Sequence, residues 1–286
     1  MDTTESVVAE LNVALGTDYQ LVRRLTGGLQ SGAFELTDGV VLKWTDRPDW
    51  APRVRQAAEL VRRARAVGYP TPEWLAVGTT AAGSPYQLQE FVAGTPVRGG
   101  SLVDEPLARQ LIAICELQRD LVPEDRVNWS GYAHGVVFDG WDGVHERVHA
   151  YGGEVTELVD RYDALCRRYR DAVLPSDDLV HGDLNLGNLL VADGQVTGII
   201  DIESAGAGSR AYDLVSLATS AARDGAPPGI DELFLEAALL AGGRATVAIC
   251  AATAYVTIAE FAATLYPGSE ELVAVGARRV LELLDA

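Results

Sequence analysis

Between Leu179 and Asp201 the chain encodes a short hairpin whose mouth is crowded with oxygen-bearing side chains. The apolar pair Leu179-Val180 runs into His181-Gly182-Asp183-Leu184-Asn185-Leu186-Gly187-Asn188. Leu189–Val191 and Val196–Ile200 then read as two strands, with Asp193-Gly194 as the hairpin turn between them. Asn188 lies five residues beyond Asp183, and Asp201 ends the return strand, so all three can meet at one end. Polar groups gathered beside apolar strands need partners, because unpaired burial is costly. Mg²⁺ supplies a reason for them, since it takes oxygen ligands and completes its shell with substrate phosphates. A turn in which Asn188 and Asp183 cap backbone groups is the plainer alternative.

A second signal comes from an amino acid that is almost missing. The chain has one lysine, Lys43, against 22 arginines. It sits in Val40-Val41-Leu42-Lys43-Trp44, which reads as a buried strand. An ammonium is a compact point charge and a guanidinium a wide fork, so a lysine kept in this background suits nucleotide phosphates. A Gly-rich segment, Thr26-Gly27-Gly28-Leu29-Gln30-Ser31-Gly32, lies just upstream.

The 286 residues suffice for one large domain or two modest ones, and 48% apolar content allows a sizeable core. Cys115, Cys166 and Cys250 are odd in number and far apart, which fits a reducing cytoplasm better than a disulfide framework. The acidic start lacks the basic and apolar regions of a signal peptide. No charge-free apolar stretch approaches 18 residues, so no membrane association is expected, and Ala245–Ala259 reads as a buried helix. No obligate protein partner is evident.

Helical periodicity predicts a first helix over 3–15, with Asp2 and Glu5 at capping-box spacing. Strands follow at Tyr19–Leu25, Ala33–Leu36, Val40–Trp44, Leu75–Gly78 and Tyr86–Phe91, with a helix over 51–67 between the third and fourth. Ala93-Gly94-Thr95-Pro96 breaks this pattern. Beyond it, helices are expected near 104–121, 154–173, 211–223, 230–241, 244–265 and 269–284. The segment from Asn128 to Gly153 receives no assignment. The fold class is therefore α+β: a small β-rich lobe over 1–93, a linker at about 88–96, and a larger, mostly helical lobe over 94–286.

Here the chain resembles the kinase-like small-molecule phosphotransferases, the aminoglycoside phosphotransferase and choline kinase group. His181-Gly182-Asp183-x-x-x-x-Asn188 is similar to that family's catalytic loop, and Ile200-Asp201 with Glu203 to its metal-binding strand end. Ala211-Tyr212-Asp213-Leu214 is similar to its structural Asp-Leu pair, and Glu90-Phe91-Val92-Ala93-Gly94-Thr95-Pro96 to its interlobe linker. The resemblance implies a bilobal, protein-kinase-like fold, with ATP or GTP and Mg²⁺ as cofactors. Asp183 would orient, and deprotonate, the attacking hydroxyl, though a loose phosphoryl transition state leans more on positioning and charge neutralisation. Asn188 and Asp201 would hold Mg²⁺, and Lys43 would reach the α- and β-phosphates. The Glu90 carbonyl and Val92 amide would meet adenine. Gly27, Gly28, Ser31 and Gly32 would close over the phosphates. His181 would support the loop backbone, and Asp213 would be structural. Glu59 is the only carboxylate between Trp50 and Val67. It is either an ordinary intrahelical partner of Arg55, Arg62 or Arg63 or the ion-pair partner of Lys43, and beside the resemblance the second role is expected.

Only 12 positions separate Asp201 from Asp213, too few for the segment that docks a polypeptide, so a small-molecule acceptor is expected. The net charge of −18 is uneven: residues 1–93 carry 11 acids and 9 bases, and the rest carry 30 and 14. Nucleic acid is a poor partner for such a surface, and a cationic small molecule a suitable one. Candidate charge partners are Glu203, Asp231, Glu232, Glu236 and Glu260, with Trp141 offering an aromatic face. The resulting expectation is a resistance enzyme phosphorylating an aminoglycoside or a basic cyclic peptide of the tuberactinomycin kind. A kinase for choline, an amino acid or a sugar is the alternative, and a non-catalytic nucleotide-binding module a further one.

Overall fold

Thr3, rather than the expected Asp2, starts the first helix. Its hydroxyl accepts from the Ser6 amide at 3.2 Å while Ser6 Oγ accepts from the Thr3 amide at 2.9 Å, so the reciprocal cap pairs Thr3 with Ser6 and leaves Glu5 out. The computed structural model describes residues 3–25, 32–122, 128–265 and 270–285, so Asp2, Gly27, Gly28 and Ser31 lie outside the described residues.

The small lobe runs α1 (Thr4–Leu15), β1 (Leu21–Arg24), β2 (Gly32–Leu36), β3 (Val40–Trp44), α2 (Ala51–Ala66), β4 (Trp74–Thr79) and β5 (Pro85–Glu90). Its strands form one antiparallel sheet in the order β1-β2-β3-β5-β4. Val7, Val8 and Leu11 of α1 cover one face, against Leu36, Val40, Leu42, Tyr86 and Leu88. Alternation along β3 sends Val40 and Leu42 into this core and Val41 and Lys43 to the opposite face, towards the second lobe.

Past the linker come β6 (Thr95–Pro96), α3 (Glu105–Glu116), α4 (Trp129–Phe138), α5 (Val144–His149) and α6 (Gly153–Cys166). Two of these helices, α4 and α5, fill the stretch that the sequence left unassigned. Then follow β7 (Asp178–Val180), β8 (Leu189–Ala192), β9 (Gln195–Ile199), β10 (Gly206–Gly208), α7 (Ala211–Arg223), α8 (Ile230–Leu265) and α9 (Glu270–Asp285). The β8–β9 hairpin pairs through β8 with the linker strand β6, and β10 pairs antiparallel with β7. Gly243, at φ 75 and ψ 168, divides α8 into the two helices read from the sequence; glycine adopts this backbone without a Cβ penalty.

By length and composition alone Ile230–Thr264 is apolar enough to cross a membrane. The break at Gly243 interrupts it, and Phe234, Ala238, Val247, Ile249, Tyr255 and Ala259 lie in the large core. It is the central helix of the second lobe, packed against α4, α6, α7 and α9.

One helix joins the two halves. Leu60, Val61 and Ala64 of α2 are fully buried, and they belong to the core of the large lobe rather than to that of the sheet. The start of α2 also meets the turn after β9, where Arg53 donates to Ser204 Oγ at 2.8 Å.

Candidate active site

The loop after β7 is held from below by one carboxylate. Asp213, in the first turn of α7 and fully buried, accepts the amides of His181 (2.7 Å) and Gly182 (3.0 Å) and the Gln118 side chain (2.6 Å). Burial still raises its pKa, against these three donors. His181 sits at the other side of the loop. Its Nε2 donates to the Ile200 carbonyl at 3.0 Å, which leaves Nδ1 to accept the Asp183 amide at 3.3 Å. The Nε2 bond therefore ties the loop to the end of β9, and the Nδ1 bond holds Asp183 within the loop. Gly182 takes φ 82, and a Cβ there would fall 2.2 Å from the Trp129 ring.

This frame presents Asp183. Its carboxylate accepts from Asn185 Nδ2 at 3.0 Å and from Asn188 Nδ2 at 3.2 Å. Burial raises its pKa and the nearby charge of Asp201 adds to the rise, while the two amides pull the other way. Asn188 Nδ2 also donates to the Asp183 carbonyl at 2.8 Å. Both amide hydrogens of Asn188 are thus spent on Asp183, which leaves its Oδ1 for another partner. Asp201 holds a left-handed backbone, φ 64 and ψ 39, unusual for a residue other than glycine and tolerated best by Asp and Asn. Its Oδ1 lies 2.7 Å from Lys43 Nζ. Asn188, Asp201 and Lys43 line one cleft, and an amide oxygen beside a carboxylate is the hard, oxygen-only donor set that Mg²⁺ prefers. The residues fit the ion.

That cleft, about 540 Å³, lies between the lobes. Leu25, Ala33 and Val41 line it from the sheet, Leu190 and Ile200 from the hairpin, and Glu90, Phe91 and Val92 from the linker. Its size and its mixture of apolar walls with a few convergent polar groups suit a small organic ligand. Val92 forms no backbone hydrogen bond among the described residues, so its amide is open to a ligand. The Glu90 side chain turns away, accepting from Arg65 at 2.8 Å and from the Glu73 amide at 2.9 Å. Gly32 opens β2 opposite Trp44. Arg23, Arg24 and Arg98 also line the cleft. Sequence reasoning passed over them, although Arg23 and Arg24 stand immediately before the Gly-rich segment.

The structure does not bring Glu59 to Lys43. Glu59 pairs with Arg62 and with Arg63 (3.1 Å), the intrahelical arrangement that its spacing also allowed. It lies on the outer side of α2 because the neighbouring Leu60 and Val61 are drawn into the core. Lys43 instead contacts Asp201 and Glu203, and Glu203 also accepts from the Gln87 side chain. Burial lowers the lysine's pKa, but Glu203 and then Asp201 outweigh it, and the net shift is upward. Glu203, expected at the acceptor, is therefore committed to Lys43 and Gln87 of the small lobe.

The other acidic candidates are mostly paired as well. Asp231 and Glu232 accept from Arg279 at 2.7 and 2.6 Å, an α8–α9 staple. Glu260 accepts from Arg147 at 2.6 Å, joining α8 to α5. Glu236 stays exposed on α8. Trp141 is 52% exposed. It stacks edge-on with Tyr132 at 5.6 Å, which meets Trp129 at 5.4 Å, and Trp129 lies against Gly182. These aromatic rings run from the catalytic loop to the surface, and Trp129 and Tyr132 were missed because the unassigned segment gave no sign of where they point. Arg53 was missed too. Its guanidinium packs 5.3 Å from the Trp50 ring and bonds Ser204, close enough to Asp183 to feel its charge.

Comparison with known proteins agrees with this geometry. A model of the phosphotransferase enzyme family matches residues 21–250. No curated protein matches by sequence. Among solved structures, the GDP complex of aminoglycoside 2'-phosphotransferase-IIIa is similar at TM-score 0.69 and 16% identity, covering 99% of this chain and 98% of that one. Aminoglycoside phosphotransferase APH(4)-Ia is similar at TM-score 0.67 and 15% identity, covering 99% of both chains. A thermostable mutant of the latter, in a ternary complex with ADP and hygromycin B, gives TM-score 0.66 at 16% identity over 98% of both chains. The lysine, the catalytic loop and the strand-end carboxylate all lie within the matched span, and the chain belongs to the phosphotransferase enzyme family.

Proposed function

We propose that this enzyme transfers the γ-phosphoryl group of ATP or GTP to a hydroxyl of a cationic small molecule, an aminoglycoside or a basic cyclic peptide, and so protects a cell against that compound. The observation that carries the transfer itself is the meeting of Lys43, Asn188 and Asp201 in one interlobe cleft, with Asp183 bonded to Asn188 beside it. Asp183, its pKa raised by partial desolvation of the carboxylate, orients the attacking hydroxyl and accepts its proton as the bond forms. Lys43 holds the nucleotide phosphates. Asn188 and Asp201 would hold Mg²⁺, which when bound neutralises charge developing on the transferred group. Similar structures with bound GDP or ADP support the donor, and the one with bound hygromycin B supports a small-molecule acceptor. The excess of acids beyond residue 93 supports a cationic acceptor. The three cysteines, all free and buried, suit a cytoplasmic setting.

One observation favours a second reading, a metabolite kinase, and within it an uncharged sugar over the cationic choline or an amino acid. Of the five candidate acids, only Glu236 is without an ion pair among the described residues, so a cation would have to displace Lys43, Arg147 or Arg279 to reach the others. Incubation with ATP, Mg²⁺ and a panel of basic antibiotics and metabolite alcohols separates the two. A mass gain of one phosphate on an antibiotic supports resistance. Gain only on metabolites transfers the assignment to the second reading, and gain on neither across a broad panel removes both.

A further inference from the structure

Lys43 is the only lysine in the chain, and what fixes it is unusual in its location. The carboxylate expected to hold it lies on α2, in its own lobe. The structure puts both of its carboxylates in the other lobe. Asp201 is 2.7 Å away and Glu203 is in direct contact, 158 and 160 residues further along the chain. Gln87, the β5 residue paired with Lys43 in the sheet, donates to the same Glu203 oxygen. Lys43 and Gln87 are both buried, and the side chain of Glu203 is 14% exposed. The arrangement is therefore a closed clasp with two donors from the sheet and one acceptor from the turn after β9.

The alternative partner cannot take over by a swing of α2. Leu60, Val61 and Ala64 are fully buried in the core of the large lobe, and Arg53 ties the start of the helix to Ser204, next to Glu203. Turning Glu59 inward would pull those three side chains out of the core and break its pairs with Arg62 and Arg63. In the proposed function Asp201 would hold the ion at the cleft it lines, and of the two carboxylates Glu203 alone would then stay with the lysine.

We propose that Glu203, braced by Gln87, is the residue that positions Lys43 for the nucleotide, so that the lysine is set by contact between the lobes rather than by helix α2. Its role is positioning: it acts on the phosphates through Lys43. Opening of the cleft by separation of β3 from the turn at 202–204 would release the lysine, and closure would set it.

A single lysine makes the test direct. Peptide mass after timed acylation at fixed pH, with chelator present and no nucleotide, reads the exposure of Lys43 alone. Glu203→Gln is expected to speed labelling of Lys43 about tenfold and Glu59→Gln to leave it within twofold. Affinity for a non-hydrolysable ATP analogue in chelator, read by calorimetry, is expected to fall about tenfold in Glu203→Gln and to hold in Glu59→Gln. Gln87→Leu keeps every charge and should give a smaller change of the same sign, which keeps the test open should Glu203→Gln not fold. Equal labelling in wild type, Glu203→Gln and Gln87→Leu overturns the proposal, as does a larger effect from Glu59→Gln. Faster labelling with unchanged nucleotide affinity overturns the link to phosphate binding. The labelling arm needs neither donor nor acceptor, so a mistaken acceptor class would not affect its outcome.

Discussion

The catalytic hairpin and the helical wall behind it use polar residues in opposite ways. From Asp178 to Asp213, polar side chains are satisfied mostly from within their own segment, whether fully buried or at the cleft surface: buried Asp213 by His181 and Gly182, exposed Asp183 by Asn185 and Asn188, buried His181 by Ile200. In α8 and α9 the acids are met instead by arginines from other helices, buried Asp231 and exposed Glu232 by Arg279 and Glu260 by Arg147. The first arrangement fixes geometry, since each lost partner strands another buried group. The second contributes modest stability and is easily rearranged. A carboxylate in this protein thus belongs to the catalytic loop where local amides hold it, and to packing where an arginine from another helix faces it.

Four measurements probe that contrast. The largest effect is expected at Asp183. Asp183→Ala should lower kcat by about 10³-fold with nucleotide KM little changed, because a positioned base contributes roughly that much; turnover within tenfold of wild type removes Asp183 from the chemistry. Asp213→Ala leaves two buried amides and the Gln118 side chain without their acceptor. It should cost about 3 kcal/mol or more in chemical denaturation, in line with breaking a buried charged network. A loss below about 1 kcal/mol would mean that the loop does not depend on it.

On the other side of the comparison, Arg279→Ala should cost about 1–2 kcal/mol, since it leaves the buried Asp231 carboxylate without its arginine, and should leave phosphotransfer at wild-type kcat and KM. A clear fall in acceptor KM would show that Asp231 and Glu232, once released, bind substrate. The smallest effect is expected where His145 pairs with Asp163 at 3.0 Å, joining α5 to α6. The Asp163 hydrogen bond raises the His145 pKa above its ordinary 6.5. A raised folded-state value means that the stabilisation is complete below the ordinary value and is lost as pH rises through the raised one. Stability should therefore drop by less than about 1 kcal/mol as pH increases from about 6 to 8 relative to His145→Gln, and equal pH profiles for the two proteins would show the pair to be idle.

The same contrast explains what could be read before the structure was known. The catalytic hairpin was legible because its parts are close in sequence: strand period, the Asp193-Gly194 turn and the five-residue step from Asp183 to Asn188 bring them together without knowledge of the fold. Lys43 was legible because it is the only lysine. Its partner was not, for Glu59 sits at a plausible distance along the chain and Glu203 lies 160 residues away. Helix α4 was illegible for another reason. Trp129-Ser130-Gly131-Tyr132-Ala133-His134-Gly135 carries two glycines and no amphipathic stripe. The helix stands on an Asn128 cap, 2.9 Å from the Gly131 amide, and Gly135 is bare because the Trp141 ring lies on it, where a Cβ would fall 2.8 Å away.

Sequence by itself determined the α+β division, the order of nearly every element, and the residues able to carry phosphoryl transfer, because periodicity, turn chemistry and short spacings act over a few residues. Tertiary structure alone decided which acid serves which cation. With 41 acids against 23 bases, almost any pairing satisfies charge. The choice falls to burial, which turned Glu59 out towards its own helix when Leu60 and Val61 went into the core, and brought Glu203 across the cleft to the only lysine.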